Sequence, residues 1–463
     1  MNTELYYNPD DTICAISTPP GTGGVAIARV SGKDTFTIVS RIWKGKDISR
    51  MESHTAHLGE ITDPGDSTVL DQAVLTVFRA PRSFTGEDVA EISIHGSRWI
   101  QRRLIQALTA AGARLALPGE FTRRAFAAGK MDLAEAEAVA DLIASSSAAA
   151  HRHALSQMRG RFSQKIEEIR SKLLELASLL ELELDFSEED VEFASRQRLR
   201  ALSVDAAATL QKLADSFTAG AAIKDGIPVA IIGKTNVGKS SLLNAILADD
   251  RAIVSDIHGT TRDIIEDTSE IGPYLVRFKD TAGIRLSDDP VENLGIERSR
   301  RAAASAQLVL LVVDATDPQY DSTTIGQLDS GHTIIVINKT DICPAPDISA
   351  LTEALPQATT IEVSALNDTG IDRLRRLIVE KLNDTLGENA GADIIVTNQR
   401  HAHAFSEAAR LLRAVTDGLD TALPPDLIAQ DLREAIHNLS SVTGAITTPE
   451  ILQSIFTHFC IGK

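Results

Sequence analysis

The stretch Val229–Ser241, VAIIGKTNVGKSS, limits the possible folds of this chain more than any other. Val229, Ala230, Ile231 and Ile232 form a short apolar run, as a buried strand requires. Gly233-Lys234-Thr235-Asn236-Val237-Gly238-Lys239-Ser240 then matches the phosphate loop G-x-x-x-x-G-K-[ST] at every fixed position. Good helix formers follow from Ser241 to Leu247. Two glycines let the loop turn tightly, so that successive N–H groups converge on phosphate oxygens. The helix start adds partial positive charge. Lys239 is placed to reach terminal phosphates, and the Ser240 hydroxyl to ligate magnesium. Asn236, Val237, Gly238 and Ser241 complete the expected contacts. A chance glycine turn is the plain alternative, and the motifs downstream argue against it.

Those motifs arrive in order. Gly259-Thr260-Thr261-Arg262-Asp263 lies about twenty residues on, and Thr261 is the choice for completing magnesium coordination. A strand over Val276–Lys279 leads into Asp280-Thr281-Ala282-Gly283. Asp280 is the carboxylate expected to hold magnesium through its shell, and Gly283 brings an N–H to the terminal phosphate. Further strands are predicted at Leu308–Val313 and Thr333–Ile337. The second ends in Asn338-Lys339-Thr340-Asp341. A carboxylate at Asp341 accepts from both the ring N–H and the exocyclic amine of guanine, a donor pair that adenine lacks. Asn338 braces the loop, and the Lys339 stem covers the base. Ser364, Ala365 and Leu366 then offer N–H groups to the guanine carbonyl. The set specifies GTP. Glutamine follows D-T-A-G in well-known small GTPases and orients water. Here Ile284 stands there and cannot. No arginine finger is assignable from sequence: Arg262 and Arg285 are candidates, but an exposed arginine more often has a surface role. Asn236 offers an oxygen to a monovalent cation beside the phosphates.

Composition narrows the classes. A chain of 463 residues predicts two to four domains. The formal charge of −18 means that the surface as a whole does not draw in nucleic acid. RNA contact therefore needs a local basic patch or a basic partner. Cys14, Cys343 and Cys460 form no C-x-x-C pair, so neither a disulfide framework nor a cysteine zinc site is expected. No signal peptide or bilayer-spanning run is read, and a cytoplasmic protein is expected.

Around the phosphate loop the chain changes character. Residues 1–125 read as mixed β and α. Strands are expected at Thr12–Ile16, Val25–Val30, Asp71–Phe78 and Val89–His95, with a helix at Trp99–Ala111. Ser83–Asp88 and Gly119–Phe126 read as charged, glycine-containing loops. From Asp132 to about Phe186 there is no proline, and Gly160 is the only glycine. Apolar positions from Leu155 to Leu184 recur every three or four residues, which predicts one long helix. A second helix is expected over about Arg196–Ala222. Helical patterns resume at Asn398–Leu419, Leu427–Thr443 and Pro449–Phe459. Residues 126–222 and 386–463 are thus read as two parts of one helical domain, with a nucleotide domain at 223–385 inserted.

The chain resembles the tRNA-modification GTPase family MnmE, also called TrmE, along essentially its whole length. The resemblance rests on TPPGTGGVAIARVSG, SFTGEDV, GEFTRRAF, GKMDLAEAEA, the GTPase motifs and the terminal Phe459-Cys460-Ile461-Gly462-Lys463. It implies a multidomain α/β fold. The parts are an N-terminal α+β aminomethyltransferase-like domain that also forms a homodimer, a discontinuous helical domain and an inserted Ras-like P-loop GTPase domain. It implies a 5-formyl-tetrahydrofolate site at Arg29, Glu87, Lys130 and Lys463. It implies a flavoprotein partner, MnmG (GidA), with which the family builds a carboxymethylaminomethyl-type group on C5 of the tRNA wobble uridine. It implies potassium-stimulated hydrolysis. Asn236 matches the potassium-ligating asparagine. Ser255, Asp256, Ile257, His258, Gly259 and Thr260 match the loop that completes the site, with Ser255, Ile257 and Thr260 as further ligands. Glu292 matches the water-orienting glutamate. Cys460 matches the terminal cysteine, for which a catalytic role and a buried apolar thiol are the alternatives. Two other readings stand beside this one: an Era-like ribosome-assembly GTPase, and a folate-binding scaffold with incidental GTPase activity. The first requires a basic RNA-binding module after the GTPase motifs, where this chain is acidic and helical.

Overall fold

The computed structural model describes residues 7–185, 196–248, 267–279, 297, 300–344, 346–386, 394–421, 423–457 and 459–462. The chain divides into two compact units. One comprises Met1–Ile143, Gln157–Glu181 and Arg433–Lys463; the other comprises Ala144–Ser156 and Leu182–Leu432.

The first unit is built on a seven-stranded sheet. Its strands are β1 (Ile13–Ile16), β2 (Gly23–Ser31), β3 (Trp43–Lys44), β4 (Thr55–Thr62), β5 (Val69–Phe78), β6 (Val89–Gly96) and β7 (Arg114–Leu115), in the order β3-β4-β5-β6-β2-β1-β7. All neighbours are antiparallel except β1 and β7. Helix Arg98–Ala110 starts at Ser97, whose hydroxyl accepts the Trp99 N–H. Leu104, Ala107 and Leu108 on that helix share a core with Leu75, Ile92 and Ile94.

Two expectations fail here. Strand β4 escapes the sequence reading because only Ile61 and Thr62 in it are buried. At Gly59 the indole of Trp43 takes the place of a side chain: a Cβ there would stand 2.4 Å from the ring. Gly119–Phe126 is also no loop. Glu120–Ala127 is a helix whose buried face carries Glu120, Phe121, Arg124 and Ala125. Gly119 caps it with φ +64°, where a Cβ would meet the Phe456 carbonyl at 2.7 Å.

The expected long helix is also interrupted. Ala148–Met158 and Arg161–Asp185 are separate, and Gly160 lies between them in the left-handed region at φ +79°. A side chain there would strike the Glu135 carboxylate at 2.8 Å.

The second unit holds a six-stranded sheet: β8 (Ile227–Ile232), β9 (Asp267–Ile271), β10 (Tyr274–Lys279), β11 (Leu308–Asp314), β12 (Thr333–Asn338) and β13 (Thr359–Glu362). The order is β13-β12-β11-β8-β10-β9, parallel except for β9. Both faces are covered, which is why β8, β11 and β12 read as continuous apolar runs. Val229 and Ile231 enter one core; Ala230 and Ile232 enter the other. Beside this sheet, helices Arg196–Asp215 and Gln399–Asp420 pair within the same unit, joined by two hydrogen bonds from Arg200 to Asp420 at 2.7 and 3.0 Å. Among the described residues, no helix is long and apolar enough to cross a membrane.

Candidate functional site

In a parallel sheet the strand ends gather loops at one edge, and ligands bind there. Four such ends meet in the second unit. β8 delivers the glycine loop, which runs into helix Lys239–Leu247. A Cβ at Gly233 would stand 2.2 Å from the Val312 carbonyl on β11, so only glycine lets the loop leave the sheet this way. Gly238 has φ +94°, and a Cβ there would stand 2.2 Å from Asn338 Nδ2. The loop is thus fitted closely to the end of β12.

Asn338 is the strut between the loops. It is 2% exposed. Its Nδ2 donates to the Val237 carbonyl at 2.9 Å, and its Oδ1 accepts the Ala365 N–H at 3.0 Å. One side chain thereby ties the glycine loop to the Ser364-Ala365-Leu366 turn. Lys339, at φ +66°, donates to the Asn236 carbonyl at 2.8 Å and pairs with Asp314 at 2.5 Å. Asp314, at the end of β11, was missed by sequence reasoning. Burial opposes its charge, yet the bonds from Lys339 and Thr316 hold its carboxyl below the usual range. Its position directly after an apolar strand was the available signal.

Asp341 is exposed at the same edge, and one oxygen of its carboxylate accepts the Ser364 hydroxyl at 2.7 Å. Thr340 Oγ1 donates to the Val363 carbonyl at 3.0 Å. Leu366 is solvent-exposed. Lys239 Nζ donates to the Gly233 and Lys234 carbonyls at 2.8 and 2.5 Å. Burial lowers its pKa. Asn236 adopts φ +64° with its side chain exposed. Asn236, Val237, Gly238, Lys239, Ser240, Ser241, Asn338, Lys339, Thr340, Asp341, Ser364, Ala365 and Leu366 therefore sit on loops and a helix start at one sheet edge. Ser255, Asp256, Ile257, His258, Gly259, Thr260, Thr261, Asp280, Thr281, Ala282, Gly283 and Glu292 lie outside the described residues, as do Arg262, Ile284 and Arg285.

The first unit holds a second polar cluster. Arg29 on β2 donates to Glu91 at 2.9 Å, and its guanidinium carbon lies 5.5 and 5.6 Å from the ring centres of Phe84 and Phe121. Its Nη1 also reaches the Gly462 carbonyl at 3.5 Å. Glu87 accepts from Ser31 at 2.6 Å and from Arg124 at 3.0 and 3.2 Å. Lys130 donates to the Pro81 carbonyl and passes close to Gly86. Arg29, Glu87 and Lys130 are therefore linked through the 81–88 loop, and the C-terminal segment reaches Arg29. Lys463 lies outside the described residues. The sequence reading missed Arg124 and Glu120, an ion pair at 3.0 Å that is almost wholly buried. Burial disfavours the Glu120 carboxylate, but Arg114, the Leu117 N–H and Arg124 outweigh it and lower its pKa. Cys460 is exposed, so the buried apolar thiol is not what the structure places there. Cys14 is the buried one, its thiol pushed up to about 12 by desolvation.

A glycine loop at a helix start, a parallel sheet and an N-K-x-D strut at its carboxyl edge define a P-loop GTPase. The family model described as MnmE helical domain matches residues 133–460, and that described as GTP-binding protein TrmE N-terminus matches residues 12–130. A tRNA modification GTPase MnmE from Parabacteroides distasonis is 51% identical over 98% of this chain and 100% of its own length. Those from Bacteroides thetaiotaomicron and Porphyromonas gingivalis are each 47% identical, over 98% and 99% of this chain and 99% of their own lengths. The chain belongs to the MnmE family of tRNA modification GTPases. A solved FeoB G-domain from Methanococcus jannaschii overlaps 34% of this chain and 97% of its own at 23% identity and a TM-score of 0.26.

Proposed function

We propose that GTP binds at the carboxyl edge of the β8–β13 sheet. Its hydrolysis there gates modification of the tRNA wobble uridine at C5, together with the flavoprotein MnmG. The observation that supports this best is the Asn338 strut, which holds the phosphate loop and the base-reading turn in one arrangement. Lys239 leaves its loop carbonyls for the terminal phosphates, and the loop N–H groups cradle the rest. Asp341 reads the guanine edge, with Ser364 orienting its carboxylate.

The donor set fits magnesium. Ser240, at the start of the helix Lys239–Leu247, puts a hydroxyl oxygen beside the phosphate loop. Magnesium suits such a site, because it is bound through one or two protein oxygens plus substrate phosphates. Ser240 and Thr261 are the protein ligands, with Asp280 behind them. Potassium takes the Asn236 side chain with Ser255, Ile257 and Thr260, and supplies positive charge where an arginine finger acts. Glu292 orients water in place of the glutamine that Ile284 replaces.

The domain division is 1–125, 126–222, 223–385 and 386–463, with an aminomethyltransferase-like first domain and a Ras-like third. Arg29, Glu87, Lys130 and Lys463 bind a formyl-tetrahydrofolate that donates the one-carbon unit. The protein works as a homodimer in the cytoplasm. The test is nucleoside analysis of tRNA from a deletion strain. The C5 group is expected to disappear and to return with the wild-type gene but not with Lys239→Ala. Unaltered tRNA in the deletion strain would overturn the reading.

A further inference from the structure

The helix Arg98–Ala110, RWIQRRLIQALTA, is charged unlike the rest of the protein. The chain carries 64 acids against 46 bases, yet this helix holds three arginines and no acid. Residues 17–22, between β1 and β2, hold no acid either. Gln101 donates to the Gly21 carbonyl at 3.1 Å, so that loop lies against the first turns of the helix. Leu104, Ala107 and Leu108 face the core. With about 3.6 residues per turn, Arg98, Trp99 and Arg102 then point the other way, and all three are exposed. Arg102 follows Arg98 by four positions and Trp99 by three, so the three side chains are neighbours on one surface.

The fold makes no use of these outward groups. Arg103 pairs with Asp63, but Arg98 and Arg102 meet no acid among the described residues. A helix start disfavours positive charge, so an arginine at the first position adds no stability to the helix. The two tryptophans differ in the same way. Trp43 is 8% exposed, and its Nε1 donates to the Lys46 carbonyl at 3.1 Å. Trp99 is 52% exposed; among the described residues no arginine stacks on its ring and its indole N–H has no partner. A bare indole between two uncommitted guanidinium groups has the chemistry that holds single-stranded RNA. Every base has a π-face that stacks on an aromatic ring, and arginines take the flanking phosphates. A strongly acidic protein repels RNA over most of its surface, so a contact belongs where acids are missing.

Resting on the tRNA reading above, we propose that the outer side of this helix holds the anticodon loop of the substrate tRNA. One unpaired base stacks on Trp99, and Arg98 and Arg102 hold the phosphates beside it. The anticodon loop is the single-stranded stretch that contains the wobble uridine, so it is the part of the tRNA that modification must bring to the protein. Stacking asks only for an unpaired base, so the contact serves tRNAs of different anticodon sequence.

The test is an anisotropy titration of the full-length protein with three labelled RNAs: an anticodon stem-loop, an acceptor minihelix with its single-stranded end, and a duplex of the same length. The stem-loop is expected to bind most tightly. Trp99→Ala should lower its affinity at least about fivefold, and Trp99→Phe should recover it. Arg98→Ala with Arg102→Ala should flatten the dependence of log affinity on log salt by about 1.5. GTP turnover and the urea midpoint should stay at wild-type values in all variants. Wild-type stem-loop affinity in the variants overturns the proposal and leaves the GTPase reading standing, as does tighter binding of the minihelix than of the stem-loop. Loss of the C5 group in cells with stem-loop affinity unchanged assigns the surface to a protein partner and overturns the proposal. A changed sedimentation coefficient for Trp99→Ala assigns it to a second copy of the chain, with the same result. No RNA binding by the wild type also overturns it, and nucleoside analysis of the deletion strain then decides the tRNA reading separately.

Discussion

Removing the Asn338 side chain tests the central geometry of the nucleotide site. Asn338→Ala strands two groups in a nearly water-free place: the Val237 carbonyl and the Ala365 N–H. Each unsatisfied group costs about 1–3 kcal/mol, so a loss of about 2–5 kcal/mol of stability is expected. If about 2 kcal/mol of this falls on the arrangement that binds nucleotide, the competent fraction drops and GTP affinity falls about 30-fold. Asn338→Asp sharpens the test. Its carboxylate would face the Val237 carbonyl where an N–H donor now stands. Burial and that carbonyl both raise its pKa above the unfolded value of about 3.9. The protonated form can donate to Val237; the ionised form cannot. The stability it contributes is therefore present at low pH and lost as pH rises through the raised folded-state value. The Asp variant should recover toward wild type near pH 5 and resemble or fall below the Ala variant near pH 8. Urea unfolding and titration with a fluorescent GTP analogue at both pH values supply the measurement. An Ala variant with wild-type urea midpoint and GTP affinity would refute the strut.

Four further outcomes are expected. Asp341→Asn should lose GTP affinity by about 10⁴-fold and gain xanthosine triphosphate, read by direct titration, because the buried donor pair of guanine loses its acceptor. GTP turnover should be about 10³–10⁵-fold faster in potassium than in sodium at equal ionic strength. Asn236→Ala should abolish that difference while keeping GTP binding, and Glu292→Ala should slow turnover in both salts. Glu120→Gln should cost up to about 3 kcal/mol at pH 7, since it breaks a buried pair with Arg124. The Glu120 pKa is lowered on folding, so its contribution is full above about pH 4.5 and fades as pH falls through the folded value. The Gln variant should therefore lose less stability than wild type between pH 5 and pH 3. Gly462→Ala would set a Cβ 2.4 Å from the Ile16 carbonyl at φ +95°, and is expected to weaken formyl-tetrahydrofolate binding at least tenfold in a direct titration.

The two sites differ in how legible they were, and the reason is chain distance. The described loops of the nucleotide site are local. Gly233 to Ser240 follows its strand directly, and so does Asn338 to Asp341. The parallel sheet then brings strand ends together without further instruction from sequence. For these two loops an apolar run followed by a fixed polar pattern therefore carries the message, whereas Asp314, which pairs with Lys339, belongs to no such pattern. The β4 strand and the helix Glu120–Ala127 carried none. At Gly59 the core side chain comes from Trp43, and the buried face of the helix includes an arginine and a glutamate. A pattern of polar residues reads as surface unless their partners are known. Arg124 finds Glu120 one turn away, but Glu87 comes from a distant loop. Arg29 meets Gly462 across 433 positions of chain. Gly160 is a milder case: a single glycine is tolerated inside a helical pattern, so only the contact with Glu135 shows that the helix must stop there. The same difference has a physical consequence for the molecule. The described loops of the nucleotide site all follow strands of one unit's sheet. The Arg29 cluster also takes a contact from the last residues of the chain, where the Gly462 carbonyl accepts from Arg29 and Gly462 packs against Ile16. Changes at Gly462 or Gly119, far in sequence from Arg29, should therefore reach the Arg29 cluster and leave guanine binding intact.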